Sequence, residues 1–309
     1  MDTFLQQLIN GLVLGAIYAL VALGYTMVYG ILGLINFAHG EVVMIGALVA
    51  LTVIQMLVGS GIALPGPAIA ALGLLAAIPV CMVLGYAIER VAYRPLRGAP
   101  RLAPLITAIG VSILLQNVAM IAWGRQYHSF PALLPATSHQ IAGATLNDLQ
   151  IFIVLLAAAV MAALLFVVHR TRLGRAMRAT SQNPEVAGLM GVNINTVISI
   201  TFVIGSALAA LAGVMISAYY GVAHYFMGFM LGLKAFTAAV LGGIGNIAGA
   251  TLGGLLLGVI ESLGAGYIGP LTGGFLGSHY QDVFAFLVLI LVLVFRPSGL
   301  LGERVADRT

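Results

Sequence analysis

The chain has 309 residues, of which 61% are hydrophobic and only 7% are charged. Soluble domains carry about 25% charged residues, so the composition excludes a soluble globular protein of this length. The mean hydropathy is +1.10, and apolar runs recur near the length of about 20 residues that spans a bilayer as a helix. Long runs of this kind predict an all-α polytopic membrane protein rather than a β-barrel.

The net charge of +4 is interpreted as a topology signal, because basic residues concentrated in alternate loops mark the cytoplasmic side. This places the loops that end near residues 101 and 195, and the C-terminal tail, in the cytoplasm. The loops at 125–148 and 265–280 then face outward, and no nucleic-acid partner is implied. The clusters are Arg90, Arg94, Arg97 and Arg101; Arg170, Arg172, Arg175 and Arg178; and Arg296, Arg304 and Arg308.

Nine apolar segments predict membrane spans. The first 60 residues contain no Lys or Arg, so charge does not orient the first span. Nine full spans would place the N-terminus outside, whereas a broken or re-entrant element near residues 30–40 would leave eight and place it inside; we favour the second. The N-terminus lacks a basic n-region, so no cleavable signal peptide is expected. The segments lie near 5–28, 38–58, 67–89, 103–123, 149–169, 197–220, 229–244, 247–264 and 281–295.

The segment from Gly30 to Glu41 places Asn36, His39 and Glu41 in apolar surroundings. Ionisable residues at membrane depth are costly and usually face a cavity or pathway. Its glycines favour a helix break, and broken helices often line transport sites. The spacing is equally compatible with an interfacial loop whose polar groups meet water. One His and one Glu are too few for a zinc site.

Residues 170–192 are too polar to span a membrane. Pro184 suits the first turn of a helix, and Glu185 would lie near its positive dipole end. The pattern predicts a short amphipathic helix on the cytoplasmic surface, either as a docking element for a partner or resting on lipid headgroups. Its apolar face would carry Val186, Leu189 and Met190.

Glycines at four-residue spacing predict a helix that packs closely against a neighbour. The neighbour could be another helix of this chain or another subunit. The two small-residue stripes are Gly245, Gly249 and Gly253, and Gly254 and Gly258.

The sole lysine, Lys234, and Glu261 lie in adjacent spans. They could pair, but snorkelling toward water is favoured. No Walker A motif is present, since that motif needs Gly-Lys-Ser/Thr and Ala235 follows the lysine. No hydrolase or metalloprotease motif occurs either, so the chain is not expected to be an enzyme. Energy for accumulation would come from an ion gradient or a partner ATPase.

Four blocks resemble LivH-type permeases, the integral membrane subunits of branched-chain amino-acid ABC importers. The resemblance runs in order over nearly the whole chain. The blocks are Tyr25–Glu41, the cytoplasmic stretch Glu89–Arg97, residues 172–192, and Lys234–Gly245.

The resemblance implies an ABC importer permease in the bacterial inner membrane that moves leucine, isoleucine or valine delivered by a periplasmic binding protein. Its partners would be a second, LivM-type permease and two cytoplasmic ATPases. ATP and Mg would be held by those ATPases, with no cofactor in this chain. Residues 1–309 would form one permease domain with a coupling loop at about 170–195.

Alternatives remain open. Related permeases handle urea, short amides or aromatic acids, and an ion-coupled secondary transporter is a rival of another class. Whether the permeases form a homodimer or a heterodimer is also open.

The resemblance also implies two sets of site residues. ATPase coupling falls to a helix at about Pro184–Gly191 and its basic flank: Arg172, Arg175, Arg178, Pro184, Glu185, Ala187, Gly188 and Gly191. The substrate pathway, inferred from polarity around the first block, comprises Tyr25, Tyr29, Asn36, His39 and Glu41.

Overall fold

The computed structural model describes residues 2–61, 63–100, 102–134, 137–141, 143–275, 277, 280–296 and 298–302. Arg101, Arg304 and Arg308 of the basic clusters, and parts of both outward loops, lie outside these residues. The described helices are α1 Asp2–Leu32, α2 His39–Gly59, α3 Gly66–Ala87, α4 Leu102–Trp123, α5 Asp148–Arg170, α6 Arg172–Gln182, α7 Pro184–Leu189, α8 Ile194–Tyr220, α9 Met227–Gly242, α10 Ile247–Leu271 and α11 Gln281–Phe295.

Seven of these helices are long and apolar enough to cross a membrane, and α9 and α11 are shorter apolar helices. These nine helices correspond one to one to the nine predicted segments, and most of their ends differ from the predicted bounds by only a few residues. Helix α3 continues through a π turn at Ile88–Tyr93 and a 3-10 turn at Arg94–Leu96. The predicted all-α polytopic membrane fold is confirmed.

Two short antiparallel sheets lie in the loops. Strand β1 (His128–Ser129) pairs with β4 (Val222–Ala223), and β2 (Ser138–Ile141) pairs with β3 (Ala144–Asn147). The first pairing joins the loop after α4 to the end of α8, so both lie at one end of the bundle. We call this the outward end, following the charge pattern.

Helix α1 forms the centre of the bundle, packed by α8, α9 and α10. Its middle is fully buried, as at Ile17, Leu20 and Leu23. Helices α3, α4 and α5 lie at the periphery and expose apolar side chains such as Val83 and Ile121. In a bilayer such exposure is expected, because the surrounding lipid acyl chains are as apolar as these side chains.

The N-terminal end of α1 lies at the outward end of the bundle. The Gln6 side chain donates to the Thr145 carbonyl at 3.1 Å and accepts from the Thr145 amide at 2.7 Å. At its other end α1 reaches Gly30, which lies beside Gly245 in the turn between α9 and α10. The prediction of eight spans with the N-terminus inside is therefore wrong. Without cations the first helix carries no charge signal, and only its tertiary contacts show its direction.

The broken element near residues 30–40 is present. Helix α1 ends at Leu32, Gly33 takes a left-handed φ of 63°, and residues 33–38 are not helical. His39, the first residue of α2, lies against Gly24 and Gly205. Gly24 is about 12 Å back from the end of α1 at the rise of an α-helix, so the chain turns back and α2 begins inside the bundle.

Candidate functional site

The first turns of α2 and α9 meet inside the bundle, next to α1. A Cβ added to Gly40 would lie 2.3 Å from the Gly228 carbonyl oxygen, and one added to Gly232 would lie 3.0 Å from the Tyr25 hydroxyl. Only glycine permits this approach. Two helices that begin within the membrane region produce the interrupted-helix arrangement from which transporters build substrate sites.

A cavity of about 280 Å³ opens beside this junction. It is close to the lower end of the size range of small-molecule pockets, roughly 300 Å³. Its wall is mostly apolar with a few polar groups, which suits a small ligand with a hydrocarbon side chain. The lining residues are Tyr25, Phe37, Ile109, Ser112, Ile113, Gln116, Phe226, Phe229, Gly232 and Leu233.

Glu41 lies directly behind the polar part of this wall and is fully buried. Its Oε1 accepts hydrogen bonds from Ser112 Oγ at 3.0 Å and Gln116 Nε2 at 2.7 Å. Its Oε2 has no hydrogen-bond partner in the part of the chain that the structure describes. A Cβ on Gly228 would lie 2.6 Å from this oxygen, so it lies against the first turn of α9.

Tyr25 and His39 lie together at the same junction. Tyr25 lines the cavity, and the His39 ring meets it edge-on with ring centroids 4.9 Å apart. His39 is buried, and its Nε2 has no partner among the described residues. Three of the predicted pathway residues, these two and Glu41, are thus brought together around the cavity.

Asn36, in the turn between α1 and α2, and Tyr29, in the last turns of α1, do not line the cavity. Asn36 Oδ1 accepts from the Ala38 amide and from the Tyr93 hydroxyl, each at 3.2 Å. This side chain therefore fixes the turn that leads into α2. The Tyr29 carbonyl accepts from the Gly33 amide at 2.7 Å. A role of either side chain in the pathway stays a prediction.

Ser112 and Gln116 were missed by the sequence reasoning. They lie four residues apart in the otherwise apolar α4, so they share one helix face. That spacing was a usable signal, since polar side chains at membrane depth usually face a cavity or a partner. The structure shows that their partner is Glu41.

Helices α6 and α7 form the predicted amphipathic element. Arg172 and Arg175 are exposed, whereas the Arg178 guanidinium donates to the Val168 carbonyl at the end of α5. Arg178 therefore holds α6 against α5. Asn183 caps α7 by accepting from the Val186 amide at 3.1 Å.

Helix α7 presents its surface to the outside of the chain. Ala187 is buried toward α8, and Gly191 ends the element with a left-handed φ of 86°. Pro184, Glu185 and Gly188 are exposed. The predicted apolar face is also exposed, at 52% for Val186, 87% for Leu189 and 81% for Met190.

Lys234 is paired, so the expectation of snorkelling is wrong. Its Nζ lies 2.7 Å from Glu261 Oε1 and 2.6 Å from Asp282 Oδ1. The Tyr18 hydroxyl donates to Glu261 Oε2 at 3.0 Å. Lys234 therefore binds carboxylates on α10 and α11 and does not extend into the aqueous phase.

The glycine stripes of α10 pack against helices of this chain. Gly249 and Gly253 face α9, where a Cβ on Gly253 would lie 2.0 Å from the Ala238 carbonyl oxygen. Gly254 and Gly258 face α1, where a Cβ on Gly254 would lie 2.5 Å from Ala19 Cα. Gly245 takes a left-handed φ of 96° in the turn before α10.

Residues 7–293 match the family described as the branched-chain amino acid transport system permease component. The chain is 50% identical over 305 residues to the high-affinity branched-chain amino acid transport system permease protein BraD of Pseudomonas aeruginosa, with 97% of this chain and 96% of that protein covered. It is 46% identical over 306 residues to the corresponding LivH of Escherichia coli, with the same coverage. It is 31% identical over 281 residues to the autoinducer 2 import system permease protein LsrC of an Enterobacter species, with 85% and 78% covered.

Proposed function

This chain belongs to the family of branched-chain amino acid transport permeases, and we propose that it moves leucine, isoleucine and valine in a complex driven by partner ATPases. It is a multi-pass inner-membrane permease of an ABC importer and not itself an enzyme. The finer assignments concern its partners, its substrate pathway and its coupling surface.

The exposed α6–α7 element carries the proposal. A helix with a solvent-facing apolar surface beside exposed cations suits a groove on a cytoplasmic protein. The chain has no Walker A motif, so we assign the hydrolysis of ATP that drives transport to partner subunits. Two ATPase subunits, which hold ATP and Mg, would dock on α7 and its basic flank. A periplasmic binding protein would deliver substrate at the outward end, and a second, LivM-type permease would complete the pathway.

The cavity between α1, α4 and α9 is the proposed substrate pathway. Tyr25, His39 and Glu41 lie around it, and its apolar wall suits an aliphatic side chain. ATP-driven closure of the ATPases would move α7 as a rigid lever and tilt the adjacent spans. Access to the cavity would then switch between the two sides of the membrane.

The test reverses the charges of the coupling element. Arg175→Glu together with Glu185→Arg is expected to abolish ATP-driven leucine uptake by the reconstituted complex and to leave the permease in the membrane. Arg90→Glu changes another exposed cytoplasmic cation and serves as the matched control with normal uptake. Undiminished uptake by the double variant removes the docking assignment. Uphill leucine accumulation by vesicles that hold this chain alone, abolished by an uncoupler, would instead establish a secondary transporter.

A further inference from the structure

We propose that Glu41 binds the α-ammonium group of the transported amino acid, at the wall between the cavity and the first turn of α9. The proposal rests on the proposed function, because it requires a zwitterionic amino acid as ligand. It deepens that function by assigning the group that recognises the part of the substrate common to leucine, isoleucine and valine.

No cation of the described residues pairs with the Glu41 carboxylate. Its side chain is fully buried, and buried charges are normally paired because their desolvation is costly. Oε1 is held by two neutral donors from α4, and Oε2 has none within the described residues. A cationic ligand would supply the missing partner.

The side chains of Ser112 and Gln116 lie between the Glu41 carboxylate and the cavity. Ser112 and Gln116, which donate to Oε1, both line the cavity. Rotation of the Gln116 side chain would expose the carboxylate to an ammonium group, and the Ser112 hydroxyl could then accept a second hydrogen bond from it.

The first turn of α9 completes the recognition of a zwitterion. The first N–H groups of a helix have no partner within it and favour a negative charge. The N-cap residue of α9, Phe226, provides no side-chain cap. Glu41 Oε2 lies against Gly228 in this turn. The Met227 amide already donates to the His224 carbonyl at 3.2 Å. The amides of Gly228 and Phe229, the next two residues of this turn, are therefore the donors proposed for the substrate carboxylate, beside the Glu41 acceptor proposed for the ammonium.

The rest of the cavity then receives the side chain. Phe37, Ile109, Ile113 and Leu233 form its apolar surface. An apolar pocket discriminates weakly between residues that differ by one methylene, at about 1–3 kcal/mol each. A site that binds the α-ammonium group through Glu41 and the side chain through apolar contacts would accept all three aliphatic substrates.

The experiment measures leucine molecules transported per ATP hydrolysed by the full complex, with its ATPases and loaded binding protein. In Glu41→Gln we expect this ratio to fall about tenfold or more, the order expected for losing a hydrogen bond to a charged group. ATP hydrolysis stimulated by the binding protein should remain normal. Glu41→Asp keeps the charge and should recover part of the ratio. Asn117→Ala, an exposed position beside Gln116, should leave it unchanged.

A purely structural role for Glu41 predicts a different result. If Glu41 only latches α4 to α2, Glu41→Gln lowers transport and ATP hydrolysis together, or neither, and either result overturns the proposal. If that variant does not assemble, Ser112→Ala is measured in its place. We expect it to lower the leucine transported per ATP about threefold or more, and an unchanged value overturns the proposal. Failure of the wild-type complex to accumulate leucine would refute the proposed function instead.

Discussion

Loss of the only lysine should destabilise the folded permease. Lys234 Nζ lies between Glu261 Oε1 at 2.7 Å and Asp282 Oδ1 at 2.6 Å. The Glu261 side chain is fully buried, whereas that of Asp282 is 31% exposed. Lys234→Met keeps an apolar stem of similar length and removes the charge. It therefore leaves Glu261 as a buried carboxylate whose remaining partner is the Tyr18 hydroxyl.

The size of the effect follows from the unpaired anion. Removing one partner of a buried ion pair costs about 3–5 kcal/mol, and replacing both partners is often close to neutral. The double variant Lys234→Met with Glu261→Gln should therefore be more stable than Lys234→Met alone. It removes the fully buried unpaired charge and leaves only Asp282, whose side chain is 31% exposed, without its cation. At roughly 2–4 °C per kcal/mol, the single variant should melt about 10 °C below the wild type.

The assay is thermal melting of the detergent-solubilised chain, followed by fluorescence-detected gel filtration. Met230→Leu, at a partly exposed position one turn earlier on α9, is the control and should melt like the wild type. The reasoning is refuted if Lys234→Met melts within about 2 °C of the wild type, which corresponds to about 1 kcal/mol or less. It is also refuted if the effects of the two substitutions simply add.

Two further predictions concern packing and a second buried charge. Gly254→Leu places a side chain where a Cβ would lie 2.5 Å from the backbone of α1. We expect it to lower the free energy of unfolding by about 1–3 kcal/mol or more and to reduce the yield of monodisperse protein. Gly110→Ala, with nothing within 4 Å of its Cβ, is the control and should be tolerated. Wild-type melting of Gly254→Leu would contradict this packing. Arg97→Ala removes the cation paired with the fully buried Glu89 and should cost about 3–5 kcal/mol, against roughly 0.5 kcal/mol or less for the exposed Arg90→Ala. Equal melting temperatures for these two variants would show that the buried pair contributes nothing.

The helices could be predicted because each is a local apolar run with a polar or glycine-rich boundary. Helix α2 begins and ends within one residue of the predicted segment 38–58. The direction of α1 could not be predicted in this way. It follows from the packing of α1 against α8, α9 and α10 and is revealed by hydrogen bonds between Gln6 and Thr145, two residues far apart in sequence; no local pattern encodes such contacts.

Polarity located the site but did not assign roles within it. Asn36 and Glu41 are equally unusual in an apolar segment. Asn36 accepts hydrogen bonds from a backbone amide and from Tyr93, whereas Glu41 Oε2 has no hydrogen-bond partner among the residues that the structure describes. The sequence cannot distinguish the two because a buried polar group is satisfied by whichever donor the fold brings near. The pairing of Lys234 could not be predicted because its partners, Glu261 and Asp282, are brought near it by the packing of α10 and α11.

A short series of contacts connects the proposed coupling element to the cavity. The Val192 amide, in the turn between α7 and α8, donates to the Ala187 carbonyl of α7 at 3.0 Å. The first turns of α8 bond to the segment before α4: Asn195 accepts from Arg97, and Ser199 donates to Glu89 at 2.7 Å. If α7 is the ATPase-coupling helix, as proposed, its movement would be applied through these contacts to the residues that lead into α4.

Helix α4 is well placed to respond, because it is a peripheral helix whose main contacts are with α2 and the π turn and it carries the polar wall of the cavity. We expect Asn195→Ala, which removes an exposed contact to Arg97, to lower the leucine transported per ATP while the melting temperature stays near that of the wild type. Thr196→Ala changes the adjacent exposed residue and is the matched control with a normal ratio. Equal ratios in the two variants would contradict this route, because within the described residues the Asn195 side chain differs from that of Thr196 by its hydrogen bond to Arg97.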